Sequence, residues 1–134
     1  MSNRKLHFET IQIHGGYKVD ESLARGIAIH PTAAYHFSSC DYAANLFTLS
    51  EPGYIYTRLH NPTTAAYEER IAALYGGVGA LATSSGMSAI LLTITALAKA
   101  GDNIVASPYL YGGTHNQFVI SLRNLGVECR LAKS

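Results

Sequence analysis

What this sequence lacks narrows the field first. It has no run of lysine or arginine: ten basic and nine acidic residues among 134 leave a formal net charge of +1. That balance gives no electrostatic footprint for nucleic acid or for an anionic membrane surface. It has only two cysteines, Cys40 and Cys129, which make neither a disulfide framework nor a CxxC pair, so a reducing compartment is expected. The N-terminal stretch is polar, with Arg4, Lys5 and Glu9, and lacks the apolar core of a secretion signal. The longest apolar stretch, 89–98, contains Thr93 and Thr95 and ends at Lys99; it is about half of the ~20 residues a membrane span needs. A soluble, cytoplasmic protein is the expectation.

Catalytic and ligand-binding signatures are missing too. The six histidines, His7, His14, His30, His36, His60 and His115, show no metal-ligand spacing and have no cysteine or carboxylate cluster beside them, so no metal site is expected. Ser84 and Ser85 lack the GxSxG setting of a hydrolase nucleophile. No nucleotide P-loop is present. Gly77-Val78-Gly79-Ala80-Leu81-Ala82 fits a dinucleotide fingerprint by letters only, because it precedes an expected strand where the fingerprint must follow one.

What is present changes character near Asn61. Residues 1–60 read as an irregular arm, with one helix expected over 41–49, capped by Asp41 and striped by Tyr42, Leu46 and Leu49. Residues 50–59 read as a turn followed by an extended segment. From Asn61 the pattern is regular. Asn61 is an N-cap and Pro62 suits the first helical position; Tyr67, Ile71 and Leu74 form a stripe, and Gly76-Gly77 ends the helix. A buried strand is expected over 79–83, a buried helix over 87–99, a strand over 103–107, a helix capped by Thr114 and striped by Phe118, Leu122 and Leu125, and a strand over 127–131. Alternation of this kind implies an α/β fold with a parallel sheet. Three strands and an all-apolar helix leave much surface uncovered, so the sequence is expected to be part of a longer chain or to need partners.

Three motifs can carry chemistry. Ser84-Ser85-Gly86-Met87 lies where a strand passes into a helix; a helix N-terminus offers free N–H groups to a phosphate, and Gly86 lets an oxygen come close. The same residues also make an ordinary capped turn. Tyr56-Thr57-Arg58, if extended, puts Tyr54, Tyr56 and Arg58 on one face, a phenol beside a guanidinium suited to an anion, though a plain surface strand reads the same. Tyr109-Leu110-Tyr111-Gly112-Gly113-Thr114 follows the 103–107 strand at its carboxyl end, where open α/β sheets bind ligands. A tyrosine there can stack on a flat ring, or simply pack the loop. His115 lies beside this edge.

In this order and spacing the motifs resemble the Cys/Met-metabolism family of pyridoxal-phosphate (PLP) enzymes. The likeness includes Phe8 to Gly16, Ile29 to Tyr35, Tyr56-Thr57-Arg58 with Asn61-Pro62-Thr63, Ser84 to Met87, and Leu110 to Thr114. Within the family, Ala44-Asn45-Leu46-Phe47 with Glu51-Pro52-Gly53 looks most like the O-acetylhomoserine sulfhydrylases. The resemblance implies the N-terminal part of an aspartate-aminotransferase-like PLP-dependent transferase fold. Residues 1–60 would be an arm against a neighbouring subunit, and residues 61–134 the first, incomplete part of the PLP-binding domain.

The resemblance also implies roles. Ser85, Gly86 and Met87 would hold the PLP phosphate. Tyr111 would stack on the pyridine ring and assist catalysis. Tyr56 and Arg58 would reach the cofactor of the neighbouring subunit in a catalytic dimer, within a tetramer. The implied reaction is replacement of acetate by sulfide on an amino-acid substrate, giving homocysteine for methionine biosynthesis. Cystathionine γ-synthase, the related γ-lyases and a non-catalytic phosphate-binding module are the alternatives. The family's imine-forming lysine and the aspartate under the pyridine nitrogen lie further along than Ser134, and Lys5, Lys18, Lys99 and Lys133 fall in no such motif. This stretch alone is therefore expected to be inactive.

Overall fold

The computed structural model describes residues 6–133; residues 1–5, with Arg4 and Lys5 of the polar N-terminal stretch, and Ser134 lie outside the described residues. The chain forms two compact units, the first ending at Ala82 and the second beginning at Thr83. Asn61, where the sequence pattern turns regular, lies inside the first unit.

In the first unit, α1 (Phe8–His14) packs on α3 (Pro62–Tyr75). No helix is expected from sequence at α1, because it is short and has no side-chain cap; packing on a longer helix supplies what local propensity does not. The chain leaves α1 through Gly15-Gly16, and Arg70 Nε donates to the Gly15 carbonyl at 2.7 Å. α2 (Cys40–Phe47) is capped by Ser39, whose hydroxyl accepts from the Tyr42 N–H. The expected cap, Asp41, sits instead in the first turn, where its charge favours the helix dipole. Of the expected stripe, Leu46 is buried and Leu49 is exposed.

α3 starts as the sequence foretells: Asn61 Oδ1 accepts from the Thr63 N–H at 2.8 Å, with Pro62 next. Gly76, at φ 65°, closes it. The buried face differs from the expected stripe, for Ala65 and Ala66 are buried while Tyr67 is exposed. Small residues win that face because the backbone of Gly16 lies directly against it.

The second unit is an α/β layer. α4 (Gly86–Leu97) leads into β1 (Asn103–Ala106). A continuous helical run then follows, made of α5 (Gly112–Asn116), a π-helical turn (Gln117–Ser121) and α6 (Leu122–Asn124). It returns the chain to β2 (Glu128–Leu131). The strands are parallel, Asn103 opposite Glu128 and Ala106 opposite Leu131, and a parallel pair needs such a helical crossover. Phe118, Leu122 and Val127 form the core, with Ile90, Leu91 and Ile94 of α4 packed against it.

Three expectations are corrected in this region. Among the described residues the sheet has two strands. No strand forms over 79–83: a strand exists by ladder pairing, and the Ala82 N–H donates instead to the Glu68 carboxylate at 2.7 Å. α4 is not buried all round; one face meets the core, while Leu92 and Leu97 are exposed. Thr114 is not a cap but a buried residue within α5, which begins at Gly112. Among the described residues no helix is long and apolar enough to cross a membrane.

Candidate cofactor-phosphate site

The first turn of α4 presents groups that suit an anion. Ser85 is its N-cap, in extended conformation, with its hydroxyl accepting from the Ser88 N–H at 3.1 Å and lying 2.9 Å from the Ser88 hydroxyl. The N–H groups of Gly86 and Met87, at the start of the helix, have no intrahelical acceptor to meet. Beyond its chain neighbours and its own helix backbone, a methyl group added at Gly86 would meet no atom of the described residues within 4 Å, so this backbone lies open to a ligand. Positive dipole end, free donors and an uncovered glycine together suit a phosphate group.

The hydroxyl of Ser85 is engaged as the cap. Replacing Ser85 with alanine is expected to cost about 1 kcal/mol of stability, and Ser85→Asp to keep most of it, since a carboxylate caps as well. Thermal melts of both variants check this; an alanine variant as stable as the aspartate variant would contradict it.

The loop after β1 comes to the same turn. Gly113 is packed tightly: a methyl group there would lie 2.8 Å from Tyr111 Cε1 and 3.4 Å from Met87 Sδ. The Thr114 hydroxyl donates to Met87 Sδ at 3.8 Å, and Gln117 Nε2 donates to the Met87 carbonyl at 3.1 Å. Tyr111, at the N-terminal end of α5, is 77% exposed, and its ring is therefore free to receive a flat partner. Ser85, Gly86, Met87 and Tyr111 are thus brought together within the second unit. Gln117 has no part in the sequence motifs; its signal is positional, three residues after Thr114 and six after Tyr111 on one helical run.

Tyr56 and Arg58 lie in the first unit, and their setting differs from the extended segment expected. Only Tyr56 pairs, in a single antiparallel bridge with Ala34; residues 57–59 then turn, and the N–H groups of Leu59 and His60 both donate to the Tyr56 carbonyl. The turn brings the Arg58 guanidinium over the Tyr56 ring, 5.7 Å from its centroid, a cation–π arrangement. Tyr54 does not join them; it stacks on His60 at 5.0 Å. Beside Tyr56 and Arg58 is an open hollow of ≈ 420 Å³ whose wall includes His30, Pro31, Thr32 and Ala33.

Hydrogen bonds hold that wall in place. The Thr57 N–H donates to the Ala33 carbonyl at 2.9 Å, and the Thr57 hydroxyl to the Thr32 carbonyl. Asn61 Nδ2 donates to the His30 carbonyl and to Thr57 Oγ1, each at 3.0 Å. Thr63 Oγ1 accepts from the His30 N–H at 2.9 Å.

On β2 the Arg130 guanidinium, 2.8 Å from Glu128, holds that carboxyl below its ordinary range, and burial pushes the Cys129 thiol up. Among the described residues no cluster of His, Cys, Asp or Glu could hold a metal ion.

Comparison with known proteins fits this geometry. Residues 9–134 match the model of the Cys/Met metabolism PLP-dependent enzymes. The chain is 52% identical over 125 residues to the homocysteine synthase of Schizosaccharomyces pombe, covering 92% of this chain and 29% of the relative. It is 53% identical over 126 residues to O-acetyl-L-homoserine sulfhydrylase 1 of Thermus thermophilus, covering 93% and 30%. A Campylobacter jejuni structure containing N′-pyridoxyl-lysine-5′-monophosphate superposes with a TM-score of 0.91 at 37% identity, over 95% of this chain and 31% of that one. The chain thus spans about three tenths of the length of these relatives. With a family match along nearly its whole length, this chain belongs to the Cys/Met metabolism PLP-dependent enzyme family.

Proposed function

We propose that this chain is the N-terminal segment of an O-acetylhomoserine sulfhydrylase. Such an enzyme replaces the acetate of O-acetylhomoserine with sulfide to give homocysteine, in the cytoplasm, as a step of methionine biosynthesis. One structural observation supports the cofactor side of this reading above the rest: the capped first turn of α4, open at Gly86, with the exposed Tyr111 ring at the same place. About 50% identity to a homocysteine synthase and an O-acetylhomoserine sulfhydrylase supports the choice of reaction.

PLP, when bound, supplies an electron sink for the carbons beside the substrate's amino group. Everything else falls to protein groups. The Gly86 and Met87 N–H groups would hold the phosphate and so fix the cofactor's place. The Tyr111 ring, exposed beside that turn, would stack on the pyridine ring, and its hydroxyl could hold or pass a proton near the substrate. Tyr56 and Arg58, already side by side, would hold the phosphate of the neighbouring subunit's cofactor in a catalytic dimer, two of which would form the tetramer. In the overall exchange the γ-carbon–oxygen bond breaks, acetate departs as the anion, and a γ-carbon–sulfur bond forms with hydrosulfide.

The full-length protein tests the reading. With O-acetylhomoserine and sulfide it should release homocysteine and acetate. Faster release of ammonia from cystathionine or methionine than formation of homocysteine would assign it to another reaction of the same family. Arg58→Ala should weaken PLP binding about tenfold, the worth of one hydrogen bond to a charged group; equilibrium titration of the cofactor-free protein measures it.

A further inference from the structure

Gln117 holds the first turn of α4 from outside. Its Nε2 donates to the Met87 carbonyl at 3.1 Å, while Thr114, three residues earlier, donates to Met87 Sδ at 3.8 Å. One face of the helical run that starts at Gly112 therefore grips both the main chain and the side chain of Met87. The orientation of the amide follows from chemistry, because a carbonyl only accepts and so must face the nitrogen. The other end of the amide, Oε1, is buried and finds no hydrogen-bond partner among the described residues.

A buried acceptor without a partner costs stability, and an apolar side chain of similar size would avoid that cost. Gln117 also opens the π-helical turn Gln117–Ser121, a rare local geometry found often at functional sites. In this turn Phe118 goes to the core while Gln117 reaches α4. Neither the orphaned oxygen nor the π turn is explained by core packing alone.

We propose that Gln117 is a positioning residue for the phosphate cradle. By holding the Met87 carbonyl it fixes the Met87–Ser88 peptide plane and, through the Met87 backbone, limits rotation of the first turn of α4, so that the Gly86 and Met87 N–H groups stay aimed at the cofactor phosphate. The proposal rests on the PLP reading above.

The test compares PLP with pyridoxal, which lacks the phosphate, on the full-length protein and its Gln117→Leu variant. Dissociation constants are measured by titrating each compound into cofactor-free protein, alongside thermal melts of that protein. The variant should bind PLP about tenfold more weakly, the equivalent of one lost hydrogen bond. It should bind pyridoxal as the parent does, and its cofactor-free form should melt no lower. Unchanged PLP affinity, or an equal loss for PLP and pyridoxal, overturns the proposal. Gln117→Met carries the same comparison if the leucine variant does not fold. A parent protein that takes up no PLP would overturn the cofactor reading itself, a result visible before any variant is made.

Discussion

Replacing Gly16 with alanine is expected to cost the protein about 3 kcal/mol of stability, the sum of a conformational and a packing term. Gly16 has φ 68°, a left-handed conformation that costs a side-chain-bearing residue ~1–2 kcal/mol. A methyl group there would run into the Ala66 carbonyl oxygen and lie 2.7 Å from the Arg70 backbone nitrogen. Both belong to the backbone of α3, which cannot swing aside as a long side chain can, so overpacking adds ~1–3 kcal/mol.

Two other glycines separate the terms. Gly76 has φ 65° but open space around it, so Gly76→Ala should cost only the conformational part, about 1 kcal/mol. Gly26 lacks a positive φ and, beyond its chain neighbours, meets no atom of the described residues within 4 Å of an added methyl, so Gly26→Ala should be neutral or slightly stabilising. The melting temperatures of the three variants should fall in that order. A Gly16 variant no worse than the Gly76 variant would show that the contact between the Gly15-Gly16 turn and α3 does not constrain the fold.

Asn61→Ala should lose about 2–4 kcal/mol, more than an ordinary cap mutation, because the side chain does three things at once. Its oxygen caps α3 through the Thr63 N–H at 2.8 Å, a role worth ~0.5–2 kcal/mol. Its amide nitrogen donates to the His30 carbonyl and to Thr57 Oγ1, and each bond adds ~1 kcal/mol. The residue is 5% exposed, so water cannot replace what is lost. Asn61→Asp separates these roles: it keeps the cap acceptor but sets a carboxylate oxygen against the His30 carbonyl. If donation matters, the aspartate variant should be no more stable than alanine in a denaturant or thermal melt. An aspartate variant with parental stability would reduce Asn61 to a helix cap. Because these bonds tie residues 30–34 to residues 56–63, both variants should also disturb the Tyr56–Arg58 pair.

Asn61 illustrates how much was legible in the sequence. Its cap could be read from Asn-Pro before an apolar stripe, since both partners lie within two residues. Its bonds to His30 and Thr57 could not, because nothing local says which distant carbonyl will come within reach. The same division runs through the chain. Ser85 as the junction before a helix, Gly76 as its predecessor's end, and β1 and β2 as strands all follow from local pattern. The 79–83 segment has the composition of a strand, but composition cannot supply a ladder partner. α4 has apolar residues on every side, yet which of its faces meets the core depends on what is packed there. α1 has no local signal because its stability comes from α3, not from its own seven residues.

The candidate site divides likewise. Tyr56, Arg58, Gly86, Met87 and Tyr111 could be named from short motifs, and the family could be named from their order. Their arrangement could not. The sequence suggested that Arg58 meets Tyr56 along an extended strand; a turn brings it there. Tyr111 and Met87 are 24 positions apart in the chain and meet through Gly113, Thr114 and Gln117. By itself, then, the sequence determined element types, helix ends and the family, since propensity, capping and motif spacing act over a few residues. Tertiary structure alone decided which faces are buried, which strands pair and which polar atoms meet, because those contacts join residues that only folding brings together.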